Sequence, residues 1–432
     1  MELNSSWLTI KTLEGEVITK RMPAGDEFIA DLVIPSTTPH FPALKSRPAK
    51  LTTAAWPATT FFDDFRYHGL PYVDKTVWFP ELLKHVHVFL SRPRRFGKTL
   101  LVSALEQLFL GHKSLFSGLY IETNWDWDHY KYPVIRLDFS TVSCEDFETD
   151  LIDRLKEIGM CYGISFQNTR NSLATVFRYL TKCLADLNEA EGRAATYVIL
   201  IDEYDKPVVE SLKSSHLISK NLQLLNFFLT QIKAVPPAFS LVTGASRLAR
   251  TSIFSGDNVR VDISFKPEFN ELCGFSEREI AENFDLGLLN MSELKKWYNG
   301  YGFGGKATVY NPFSVANALV NQVIDCYWVR SGTTKLLADF CGSKSMRDFL
   351  ETLLMSDGRT INFESLFQSE DALSMGQSIA SLERLFLQAG YLTISVVLDN
   401  SGNCTLIVPN EEIRRYALPA LTIAGLAEKS VF

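Results

Sequence analysis

Between about residues 85 and 265, short apolar runs alternate with longer stretches in which apolar residues recur at helical spacing. His87-Val88-Phe89-Leu90 is short enough for a buried strand, and Leu101, Ala104, Leu105, Leu108 and Phe109 then follow helical spacing up to a stop at Gly111. Further strand-like runs are Pro133-Val134-Ile135-Arg136-Leu137-Asp138-Phe139, Tyr197-Val198-Ile199-Leu200-Ile201, Phe239-Ser240-Leu241-Val242-Thr243 and Val259-Arg260-Val261-Asp262-Ile263. Helical stretches near 145–160 and 171–188 lie between the second and third runs. Strands covered on both faces need continuous apolar runs, so this alternation predicts an α/β fold with a parallel sheet.

Beyond residue 265 the pattern turns mostly helical. Ser276-Glu277-Arg278-Glu279 has capping-box spacing, Met291 to Trp297 reads as a helix, and Pro312 suits the first turn of a helix running to about Val320. Gly300-Tyr301-Gly302-Phe303-Gly304-Gly305 matches the dinucleotide-binding glycine pattern, but a helix precedes it and a strand-like run follows. The fingerprint needs the reverse order, so a glycine-rich turn is expected. An amphipathic stretch over 379–387 leads into two strand-like runs, 391–398 and 404–408, around Asp399-Asn400-Ser401-Gly402-Asn403. A helix followed by a hairpin resembles a winged helix, and neither hairpin strand carries Lys or Arg for DNA. At the other end, runs at 7–12 and 17–19 flank Glu14-Gly15, a small hairpin, and prolines punctuate residues 35–57.

The loop between the first strand and its helix carries the chemistry. Ser91-Arg92-Pro93-Arg94-Arg95-Phe96-Gly97-Lys98-Thr99-Leu100 places Gly-Lys-Thr at the helix start. Free N–H groups and the positive dipole end gather there, which suits an anion. The predicted phosphate-binding residues are Arg94, Arg95, Phe96, Gly97, Lys98, Thr99 and Leu100, with Lys98 on the β- and γ-phosphates and the Thr99 hydroxyl on Mg²⁺. Arg92 stands where the usual pattern has its first glycine, and Pro93 follows. Arg92, Arg94 and Arg95 would bracket the triphosphate or touch a neighbouring loop, in preference to binding nucleic acid, because the loop is already a local anion site. Asp202-Glu203 ends the third strand, the end at which open α/β sheets bind ligands. Asp202 is the second Mg²⁺ residue, and Glu203 the general base for water.

These segments together resemble the AAA-ATPase-like family, whose members often carry a C-terminal PD-(D/E)XK nuclease-like domain. The resemblance rests on the loop, on Tyr72-Val73-Asp74-Lys75-Thr76, and on Leu200-Ile201-Asp202-Glu203-Tyr204-Asp205-Lys206-Pro207. It continues through Thr243-Gly244-Ala245-Ser246, Ser252-Ile253-Phe254-Ser255-Gly256, Trp297-Tyr298-Asn299-Gly300-Tyr301 and Tyr310-Asn311-Pro312-Phe313-Ser314 to Pro409-Asn410-Glu411-Glu412. It implies a P-loop NTPase sheet of AAA-like type, with the fourth strand inserted between the Asp202 strand and the loop strand. It also implies that Tyr72-Val73-Asp74-Lys75 borders the nucleotide base. Thr243, with Ser246 as second choice, would then sense the γ-phosphate, or simply cap the strand end. Arg247 or Arg250 would act as an arginine finger in cis, or form a structural ion pair. The expected units are 1–60 (hairpin and proline-rich linker), 61–265 (P-loop domain) and 266–432 (helical and winged-helix-like). The chain stops soon after Glu412, so no nuclease domain is expected.

The chain has 432 residues, 46% of them hydrophobic, enough for a sizeable core. A formal charge of −7 gives no global attraction to nucleic acid or to an anionic membrane. Seven scattered cysteines without a Cys-x-x-Cys pair, and no signal pattern or long apolar run, point to an intracellular protein of the cytoplasm or nucleus. His85 and His87 alone make a weak metal site. No guanine signature appears, and the resemblance favours ATP with Mg²⁺. The expected function is a slow ATP hydrolase acting as a nucleotide-dependent switch on an unknown protein partner. The alternatives are a non-hydrolysing scaffold or a DNA-associated component of a nuclease system.

Overall fold

The computed structural model describes residues 7–11, 17–21, 60–212, 214–247, 260–304, 307–331, 348–350, 352–353, 358–363, 379–395 and 402–421. Outside them lie the proline-punctuated stretch 35–57, Arg250, the motif 252–256, Val259 and the segment 396–401.

The N-terminal hairpin is present: β1 (Trp7–Lys11) pairs antiparallel with β2 (Val17–Arg21), Thr9 opposite Thr19. The central sheet holds β3 (His87–Ser91), β4 (Val134–Asp138), β5 (Val198–Asp202), β6 (Phe239–Gly244) and β7 (Val261–Asp262). Its order is β4-β5-β6-β3-β7, and all the pairs are parallel. The fourth strand therefore lies between the Asp202 strand and the loop strand, as the resemblance implied.

Alternation along each strand splits the apolar side chains between two layers. Val88, Leu90, Leu200 and Leu241 pack on one face with Val102, Leu105 and Leu108 of the helix Lys98–Phe109. Phe89, Ile199, Ile201 and Val242 pack on the other, against the helices Phe147–Cys161, Leu173–Ala190 and Ser215–Ala234. The last of these helices was not predicted. It begins at Ser214, whose hydroxyl accepts the Leu217 N–H, and buries Ile218, Leu225, Phe228, Leu229 and Ile232 at helical spacing.

Beyond β7 the predicted helices appear. Ser276 and Glu279 form a capping box on Glu277–Asn283, and Asn290 and Asn311 cap Met291–Tyr298 and Pro312–Asn321. The Glu279 carboxylate also takes Lys75 Nζ at 2.7 Å, tying residue 75 to this region. The helix Ile379–Ala389 leads to β9 (Thr393–Ser395) and β10 (Asn403–Ile407). An unpredicted strand, β8 (Arg359–Asn362), completes an antiparallel sheet of order β8-β10-β9. The first core cluster does not stop at residue 265: Phe269, Leu272, Tyr301 and Phe303 belong to it.

Gly300 to Gly304, the described part of the glycine-rich segment, follow the helix Met291–Tyr298, and Tyr301 among them bridges to Val309. Gly300 sits at φ +103, where a Cβ would lie 2.0 Å from the Pro409 carbonyl oxygen. Gly300→Ala should therefore destabilise the chain by about 3 kcal/mol, from left-handed strain plus a displaced main chain. Denaturant unfolding of the full chain checks this; an unchanged midpoint would show that the turn yields freely.

Candidate functional site

The loop connecting β3 to the helix Lys98–Phe109 lies at the carboxyl ends of the strands, where the sheet order changes direction. Gly97 caps the helix at φ +91, and Arg95 is also left-handed at φ +66. Such conformations let successive N–H groups converge on an anion. Lys98 is buried and folds back over the loop. Its Nζ donates to the carbonyls of Arg92 (3.1 Å) and Pro93 (3.2 Å) and lies 3.7 Å from Glu203 Oε1.

A cleft of about 780 Å³ opens above this floor. The loop residues Arg94, Arg95, Phe96, Gly97, Lys98, Thr99 and Leu100 line it together with Glu203. Pro71, Tyr72, Val73 and Lys75 form one wall, where the resemblance put the base, and residues 272–275 another. Phe313 and Asn317 of the helix Pro312–Asn321 reach the same space.

Arg92 takes the second of its expected places, against a neighbouring loop. Its guanidinium turns into the interior, fully buried, and donates to the carbonyls of Ser91 (3.0 Å), Ser264 and Phe269 (3.0 Å). It lies 4.0 Å from the Phe303 ring centre, and burial pulls its pKa down to about 10. A guanidinium committed to main-chain carbonyls does not bracket a triphosphate, so only Arg94 and Arg95 of the three line the cleft.

Asp202 is wholly buried behind the cleft wall. Burial, followed by the neighbouring Glu203, pushes its pKa up to about 6, against the pull of Lys98 and Thr99. Oδ1 accepts the Glu203 N–H at 3.0 Å, whereas Oδ2 is buried without a hydrogen-bond partner. A bare buried carboxylate oxygen beside a threonine hydroxyl suits a hard divalent cation such as Mg²⁺, which keeps most of its shell as water and phosphate oxygens. The residues thus fit the group. Among the described residues no cluster of three or more His, Cys, Asp or Glu forms an all-protein metal cage. His87 Nδ1 is hydrogen-bonded to Ser240 Oγ at 2.8 Å.

Glu203 has φ +50, an uncommon conformation for a non-glycine residue, and one that turns up at functional sites. Thr243 is fully buried near the end of β6, and its hydroxyl has no hydrogen-bond partner. Ser246 is engaged instead: its hydroxyl donates to Asp205 Oδ2 at 2.6 Å. Arg247 is ion-paired with Asp262 and does not line the cleft. This ion pair is the arrangement its structural alternative describes.

Sequence reasoning missed several residues here. Asp138 ends β4 directly opposite Asp202 and lines the cleft. It carried the same signal as Asp202, an acid closing an apolar strand. Asp205 grips the loop after β6 through the N–H groups of Ala245 and Ser246. Trp328 reaches the phosphate loop from beyond residue 265, with nothing in its surrounding sequence to mark it.

Residues 58–254 match a family described as "Predicted AAA-ATPase" (AAA-ATPase-like). The chain is also 31% identical over 368 residues to a protein of Azotobacter chroococcum mcd 1 described as "Uncharacterized protein in vnfD 5'region". That similarity covers 83% of this chain and 67% of the other. Among the described residues no helix is long and apolar enough to cross a membrane.

Proposed function

Because this chain belongs to the AAA-ATPase-like family, we propose that it binds ATP with Mg²⁺ in this cleft and hydrolyses it slowly, as a nucleotide-dependent switch. One observation carries the reading: Lys98 and Glu203, far apart in sequence, meet 3.7 Å apart on the cleft floor at a helix N-terminus. The N–H groups of the loop and the Lys98 ammonium would hold the β- and γ-phosphates. Arg94 and Arg95 stand at the cleft wall to take the remaining charge. Thr99 and Asp202 would hold Mg²⁺, which would supply charge neutralisation for the phosphates. Glu203 would accept the proton of the attacking water, and Thr243 would donate to the γ-phosphate. Arg247 is held by Asp262 and would have to leave that ion pair to act as a finger, which suits slow turnover.

The proposed division of labour is a nucleotide core over 61–265 and a cap over 266–432. The cap would include a winged-helix-like unit built on the helix Ile379–Ala389 with β9 and β10. Its support is that Phe313 and Asn317 line the cleft, so a cap movement would alter the nucleotide's surroundings. Phosphate release from ATP by the full chain tests the reading. Turnover that needs Mg²⁺ and is indifferent to DNA is expected; absence of both phosphate release and binding at millimolar ATP would overturn it.

Asp202 gives a pH dependence. Its folded pKa of about 6 lies above its unfolded value, so in the metal-free chain it binds more protons folded than unfolded across the acid range. This group's contribution to stability falls as pH rises from about 4 to about 6. Mg²⁺ binding needs the carboxylate, so Mg²⁺ affinity should weaken about tenfold per pH unit below 6. Titrating Mg²⁺ at pH 5 and pH 7 checks it; Asp202→Asn should flatten the difference.

A further inference from the structure

The phosphate loop has no glycine at its first position, and the structure supplies another restraint. Pro93 packs under Gly390: a Cβ built on Gly390 would lie 2.8 Å from Pro93 Cβ and 3.5 Å from the Trp328 ring. The Trp328 indole N–H donates to the Arg94 carbonyl at 3.1 Å. Arg95 lies 5.0 Å from the Phe313 ring centre, and Phe96 meets Tyr301 edge-on at 4.8 Å. Four successive loop residues, 93 to 96, are thus each held by a residue beyond 300.

Trp328 is fully buried and is itself fixed. Its main-chain N–H donates to Glu412 Oε1 at 2.7 Å, and the other Glu412 oxygen accepts the Ser314 hydroxyl at 2.8 Å. One buried carboxyl therefore joins the helix Pro312–Asn321 to the short helix Tyr327–Arg330, which carries the indole. A peptide is planar and trans, so a carbonyl drawn one way sends the next N–H the other way. With the Arg94 carbonyl drawn to Trp328, the Arg95 N–H points away from Trp328. Residues 94–97 line the cleft and Trp328 does not.

We propose that Trp328, held by Glu412, is a positioning residue for the phosphate loop, setting the orientation of the 94–95 peptide and thereby nucleotide affinity. The affinity part rests on the nucleotide reading above; the loop-positioning part does not. The indole N–H takes over part of the work a first-turn glycine does elsewhere, by fixing the peptide through an outside donor. The C-terminal region is then a structural component of the nucleotide site.

Hydrogen exchange of the full chain without nucleotide tests this, comparing the peptide over 91–100 with the helix Phe147–Cys161 as an internal reference. Trp328→Phe keeps a ring and removes the donor. Losing one neutral hydrogen bond should speed loop exchange roughly three- to tenfold with the reference unchanged. Glu412→Gln keeps the shape but leaves one of its two donors facing an amide N–H, and should raise exchange in the same peptide about twofold. It decides the matter if the first variant does not fold. ATP affinity should fall by no more than the factor by which loop exchange rises, because the apparent Kd follows the ordered fraction, which changes little while the loop is mostly ordered. Unchanged loop exchange, or an equal rise in the reference helix, would overturn the proposal. A parent that binds no nucleotide would sink the ATP reading, while the exchange comparison would still decide the positioning role.

Discussion

Lys98→Ala should weaken ATP·Mg²⁺ binding by roughly 10- to 150-fold, the value of a hydrogen bond to a charged group. The lysine is almost wholly buried and already oriented by the Arg92 and Pro93 carbonyls, so little side-chain entropy remains to be lost on binding. Its charge also offsets the Glu203 carboxylate at 3.7 Å. Removing it leaves Glu203 facing a polyphosphate with one cation fewer beside it, which adds repulsion to the lost contact. Lys98→Arg would keep the charge in a larger, planar group that the buried site does not fit, and should not restore binding. Equilibrium titration of both variants measures this. Parent-like affinity in Lys98→Ala would remove the lysine from the site.

Glu203→Gln should leave ATP binding near parental while turnover falls on the order of 10²-fold or more. The substitution keeps size and the left-handed backbone at φ +50, so the local strain is the same before and after. It removes only the basicity. Losing a negative charge beside Lys98 and the triphosphate should hold affinity level or raise it. A structural role would give the opposite split, with binding and stability changed and residual turnover intact. Single-turnover hydrolysis on the preparations used for binding separates the two; parental turnover would show that another group takes the proton.

The parts of the site that a single sequence displayed were those written in local chemistry. The apolar runs of β3 and β5, Gly97 before Lys98, and the acids closing β5 each state their neighbourhood within a few residues. The capping box at Ser276 and the turn at Gly300 were legible for the same reason. The parts it hid depend on distant partners. Arg92 looks like a phosphate ligand until the carbonyls of Ser264 and Phe269 are seen around it. Trp328 and Arg94 are 234 positions apart. β8 is short and mostly exposed, and it becomes a strand only by pairing with β10. Ser215–Ala234 carried a readable helical spacing, but its polar residues break the apolar stripe.

Calorimetric titration of the full chain with a non-hydrolysable ATP analogue, with and without Mg²⁺, tests the central claim most directly. The account predicts one site per chain with Kd below about 1 mM, a binding free energy of about 4 kcal/mol or more. Binding should tighten with Mg²⁺ and be lost in Lys98→Ala. Absence of binding by the parent at millimolar analogue, or equal binding by parent and Lys98→Ala, would contradict it.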